Sequence, residues 1–122
     1  MKSKNESTLV RFIELMKMAD YPEMKDLLSD DLVAYLTNSK GEVDKLEGKT
    51  AYIQRFSAID RPREIQMNIV QMVSLVPDQI LMMLEVAVND AGKSIVNHAA
   101  YLVKFDHKKI QEIWMVGSTC SP

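Results

Sequence analysis

One cysteine in 122 residues, Cys120, removes internal disulfides and multi-cysteine metal sites from consideration. It sits near the C-terminal end with no histidine beside it, which makes it a bystander rather than a nucleophile. Histidine is almost as scarce. His98 and His107 are the only two, and without paired carboxylates they supply no metal ligand set. A basic surplus is missing too: 15 Lys and Arg stand against 17 Asp and Glu, with no basic cluster. A phosphate backbone would find no complementary surface, so nucleic acid is not an expected partner. The longest uncharged stretch, Ile65 to Pro77, is interrupted by Gln66, Asn68, Gln71 and Ser74 and cannot span a bilayer. No apolar signal-type segment follows Lys2 and Lys4, so the expectation is no membrane association and a cytoplasmic location.

What is present is ordinary globular composition, 47% hydrophobic and 26% charged. A chain of this length buries a real core without staples, so one domain over residues 1–122 is expected. Ser3 and Glu6 fit a capping box, and Leu9, Phe12, Ile13 and Met16 recur on one helical face, giving a first helix over about residues 4 to 19. Pro22 suits the opening of a short second helix carrying Met24, Leu27 and Leu28, stopped by Ser29-Asp30-Asp31. Leu32 to Thr37 reads as a strand, Asn38 to Gly41 as its turn and Glu42 to Leu46 as a return strand. A third helix runs from about Lys49 to Ile59 and ends before Arg61-Pro62. Four long strands follow, about Arg63 to Leu75, Gln79 to Asn89, Lys93 to Asp106 and Lys109 to Thr119, separated by tight turns. Helices first and a meander second predict an α+β fold, with three N-terminal helices packed on a mostly antiparallel sheet.

That order resembles the nuclear transport factor 2-like superfamily along nearly the whole chain. Three local segments carry the resemblance. Ala19-Asp20 with Leu27-Leu28-Ser29-Asp30-Asp31 is similar to the small helix and acidic stop before its first strand. Gly48-Lys49-Thr50-Ala51 resembles the entry to its third helix. Val103-Lys104-Phe105-Asp106 followed by Lys109-Ile110-Gln111-Glu112 resembles its final hairpin. The resemblance implies a conical roll whose curved sheet encloses one apolar pocket, as in SnoaL-like polyketide cyclases and ketosteroid isomerases. It also implies a homodimer. The fold itself does not fix a reaction.

Strand alternation sorts the candidate site residues. With Phe105 inward, Val103, Tyr101, Ala99 and Asn97 also face the pocket. Tyr101 and Asn97 are then its candidate polar groups, while a core tyrosine and a rim asparagine are the structural alternatives. Phe12, Met16, Leu36, Phe56, Met67, Met82 and Met115 complete the candidate ligand-binding set, nine methionines being many for an adaptable apolar cavity or an irregular core. A ketosteroid isomerase needs a carboxylate base and two oxyanion donors. The resemblance puts those positions at Leu36 for the base, and at Phe12 and Tyr101 for the donors, so only Tyr101 is able to donate. Glu85 is the one carboxylate available for rescue. Facing inward, it would be desolvated and pair with Tyr101 as a catalytic acid or base; with Met82, Leu84, Val86 and Val88 inward, it stands on the outer face beside Met83.

The sequence therefore points to a small apolar-ligand-binding domain with no complete catalytic set and no cofactor. The alternative is a cofactor-independent isomerase, lyase or cyclase-like enzyme using Tyr101 with Glu85 or Tyr21. On the last strand, inward Ile113 and Met115 leave Trp114 and Val116 outside with His98, Ala100 and Leu102. That face is too apolar to stay wet, which predicts a homodimer through the convex sheet around Trp114.

Overall fold

The computed structural model describes residues 4–37, 40–57, 64–76, 78–90 and 92–121, and shows three helices and one six-stranded curved sheet. In chain order these are α1 (Lys4–Met18), α2 (Tyr21–Lys25), β1 (Leu28–Thr37), β2 (Val43–Glu47), α3 (Lys49–Ser57), β3 (Glu64–Val76), β4 (Gln79–Asp90), β5 (Lys93–Asp106) and β6 (Lys109–Ser121). The sheet order is β2-β1-β6-β5-β4-β3. Only β1 and β6 run parallel; the other neighbours are antiparallel. The expected α+β class and helix-then-meander order are the observed ones. The expected capping box at Ser3 and the turn at Asn38-Ser39 fall outside the described residues.

Each helix end has an identifiable cause. α1 closes where Ala19 turns left-handed at φ 56°. There the Asp20 amide donates to the Leu15 carbonyl at 3.0 Å and the Ala19 amide to Met16 at 3.1 Å. Those two bonds satisfy carbonyls that the helix leaves unpaired. Asp20 then caps α2 by accepting from the Glu23 amide at 3.4 Å. α3 starts after Gly48, whose φ of 89° favours glycine and whose amide donates to the Leu32 carbonyl at 2.7 Å. Lys49 reaches Asp30 at 2.8 Å, and the ammonium holds that carboxyl below the usual carboxylate range. Arg55 donates to Asp44 at 2.9 Å, tying α3 to β2.

One boundary differs materially from the sequence expectation. β1 begins at Leu28 rather than Leu32, because Leu28 pairs with Ile110 across the parallel ladder before a register shift leads to Val33 opposite Glu112. Ser29-Asp30-Asp31 is therefore an irregular piece of strand, with both aspartates exposed, and not a helix stop. The β5–β6 hairpin turns on two residues, His107 and Lys108, both at positive φ, which matches the right-handed twist of the flanking strands.

The core lies between the helices and the concave face of the sheet. α1 buries Leu9, Phe12, Ile13, Leu15 and Met16, and the sheet answers with Leu32, Ala34, Leu36, Ile80, Met82, Leu84, Val103, Phe105, Ile110 and Ile113. Each fully buried Leu or Ile contributes roughly 1.5–3 kcal/mol relative to exposure. Register sets the two faces. Met72, Met82 and Tyr101 form one concave row across β3, β4 and β5; Ile69, Leu84 and Ala99 form the next, and Met67, Val86 and Asn97 a third.

Candidate functional site

The helices and sheet do not close completely on one another. They leave an apolar cavity of about 180 Å³ in the middle of the concave face. From α1 it receives Leu9, Phe12, Ile13 and Met16, the single stripe that 3.6-residue periodicity puts on one side of a helix. Tyr52 of α3 packs against Phe12, with ring centroids 6.1 Å apart and planes tilted by 32°. The sheet contributes Met67 from β3, Met82, Leu84 and Val86 from β4, Tyr101 and Val103 from β5, and Ile113 from β6. Met67, Val86 and Tyr101 are only half-buried, so the cavity opens where those three strands meet solvent.

None of these lining side chains carries a charge. The only ionisable groups among them are the phenols of Tyr52 and Tyr101. Burial pushes both up from the ordinary phenol range, and for Tyr52 the neighbouring Tyr101 adds to the shift. Both are therefore held neutral, as hydroxyls able to donate a hydrogen bond but not to exist as phenolates near neutral pH.

Of the residues that the sequence nominated, Phe12, Met16, Met67, Met82, Tyr101 and Val103 stand together around this cavity. The side chain of Phe56 lies outside the described residues. Leu36 is buried in the core but does not border the cavity. Met115, opposite Tyr101 on β6, packs against the core beside a register shift and likewise stays off the wall. Asn97 sits in the same row as Met67 and Val86, next to the opening; its Oδ1 is buried and has no hydrogen-bond partner. Tyr21 packs against the core away from the lining.

Glu85 requires a correction. Its cross-strand neighbour is His98, and its Oε2 lies 3.2 Å from His98 Nε2. Met82, Leu84 and Val86 alternate with it into the cavity, so Glu85 belongs to the convex face, where its side chain is 36% exposed. No carboxylate lies beside Tyr101 among the described lining residues. Sequence reasoning overlooked Tyr52. The one sequence signal for it is a spacing of four from Phe56, the repeat of a helical face. Among the described residues no group of three His, Cys, Asp or Glu gathers as a metal ion would need, and no helix is long and apolar enough to cross a membrane.

No protein-family profile and no curated protein matches the chain. Solved structures do match, across nearly its whole length. RV0760c from Mycobacterium tuberculosis, in complex with estradiol-17beta-hemisuccinate, superposes with a TM-score of 0.76 at 17% identity, covering 97% of this chain and 99% of its own. A putative SnoaL-like polyketide cyclase from Shewanella putrefaciens gives 0.76 at 14% identity, covering 94% and 90%. An NTF2-like protein of unknown function from Cytophaga hutchinsonii gives 0.65 at 13% identity, covering 100% and 94%. The chain has the nuclear transport factor 2-like fold. At these identities the likeness extends to the fold and no further.

Proposed function

We propose that this protein is a ligand-binding domain of the SnoaL-like and ketosteroid isomerase-like type, holding a small apolar molecule between α1, α3 and the concave sheet. The observation that carries the proposal is the uncharged cavity with two neutral phenols in its wall. Binding pockets are concave and mostly apolar, with a few polar groups that fix orientation. That a protein of the same fold is found in complex with a steroid derivative supports a largely apolar ligand for this fold. An isomerase, lyase or cyclase-like reaction finds less support. General acid-base work is served best by a group whose proton comes and goes near neutral pH; burial moves the lining phenols away from that range, and Glu85 and His98 pair with one another on the far side of the sheet.

The proposal includes one domain, a cytoplasmic setting and a homodimer through the convex face around Trp114. The dimer rests on a continuous apolar row across five strands, running Val73, Leu81, Leu102, Trp114 and Tyr35 in register. Tyr35 and Trp114 stack with centroids 3.9 Å apart, while Leu81, Met83 and Val116 remain exposed. Contiguous apolar surface of this kind marks association.

Native mass spectrometry of freshly purified protein tests both parts together. The expected spectrum is a dimer carrying a small neutral adduct that is lost on activation. A bare monomer that takes up no apolar probe would contradict the proposal. Val116→Asp, which puts a charge on the convex face without touching the core, should raise the dimer dissociation constant at least about tenfold.

A further inference from the structure

Size and polarity narrow the class of molecule that fits. Pockets for drug-sized ligands begin at about 300 Å³, whereas an engineered cavity of about 150 Å³ lined by Leu, Ile and Phe holds a single benzene ring. The present cavity, at about 180 Å³, stands next to the second and well below the first. Four fused rings exceed that volume and would have to protrude through the opening. Its polarity is equally restrictive. With no charged side chain among the described lining residues, a carboxylate or ammonium ligand would lose its hydration without recompense. A neutral oxygen, by contrast, meets the hydroxyl of Tyr101 at the wall.

We infer that the ligand is a compact neutral molecule built on one ring, carrying a carbonyl or ether oxygen that accepts a hydrogen bond from Tyr101. The inference rests on the cavity being the binding site, as proposed above. Tyr52 packs on Phe12 and closes the helical side of the same space, so the ring lies between Phe12 and the strand residues Leu84 and Val103. Met16, Met67 and Met82 supply flexible, polarizable wall, which suits a ring bearing varied small alkyl groups.

Calorimetric or NMR titration with four probes tests the class: toluene, 4-methylcyclohexanone, benzoate and progesterone. Wild-type protein should bind the first two and neither of the others. Tyr101→Phe should weaken 4-methylcyclohexanone about three- to tenfold, the effect of one neutral hydrogen bond, and leave toluene unchanged. Progesterone binding more tightly than the single-ring ketone would overturn the size class while leaving the cavity as the ligand site. Benzoate binding would overturn the neutral class. If none of the four binds, both this inference and the proposed function fail. Should Tyr101→Phe fold poorly, the wild-type series still decides on size and charge, and Tyr52→Phe serves as a second phenol deletion whose effect on the ketone is expected to be smaller.

Discussion

The two faces of one sheet are both apolar, yet they differ in what completes them. On the concave side, helices α1 and α3 cover the rows built on Met82, Leu84 and Val103, and the space left over is a largely enclosed cavity with one opening. On the convex side, Leu81, Met83 and Val116 stay exposed beside the stacked Tyr35 and Trp114, and none of the described residues covers them. Consecutive residues of the same strand take part in both: Met82 and Leu84 face in, while Met83 and Glu85 face out. Apolar content alone therefore does not distinguish a ligand site from an association surface. Enclosure does, because only the concave face can exclude water from a small molecule without a partner.

Substitutions on opposite faces should expose this difference. The largest effect is expected from Phe12→Ala, which deletes a buried ring from the cavity wall and should cost about 3 kcal/mol in urea or thermal unfolding. Met83→Ala on the convex face should cost less than about 0.5 kcal/mol in dilute protein, as exposed positions do. Equal costs would erase the distinction.

Alkaline pH offers a second handle, again specific to the concave face. The folded-state phenols of Tyr52 and Tyr101 titrate above their unfolded value, so the unfolded chain loses protons first as pH rises. Their contribution is intact below about pH 10, the ordinary phenol value, and declines above it. Denaturant midpoints should fall between about pH 10 and 12, and Tyr52→Phe should flatten that fall.

Asn97→Leu is a smaller test. Its Oδ1 is buried without a partner, and removing an unsatisfied acceptor should raise stability by about 1 kcal/mol. Loss of stability instead would mean that the side chain holds the opening together. A comparably small effect belongs to neither face: Ala19→Gly, at a left-handed helix end, should stabilise by about 0.5–1 kcal/mol.

Much of this arrangement was legible in the sequence. The helical stripe of Leu9, Phe12, Ile13 and Met16 follows from periodicity, and the strand alternation that puts Tyr101 and Val103 on the face opposite His98 and Leu102 agrees with the observed register. Alternation gives a face but not a depth along it. Leu36 and Met115 share the inner face with cavity residues, yet α1 and α3 press on the sheet so that the void opens beside Met82 and Leu84 instead. Tyr52 stayed hidden because α3 is short and its phase depends on how Gly48 sets the helix entry. The early start of β1 was also out of reach. It depends on Leu28 finding Ile110 at the far end of the chain, and two exposed aspartates locally resemble a loop.

The most direct test locates a bound ring. Intermolecular nuclear Overhauser effects between 4-methylcyclohexanone and the methyl groups of the protein should reach Leu9, Ile13, Leu84 and Val103 around the cavity and leave Leu81 and Val116 silent. Contacts confined to Leu81 and Val116, or no contacts at either face at saturating ketone, would contradict a ligand site on the concave side.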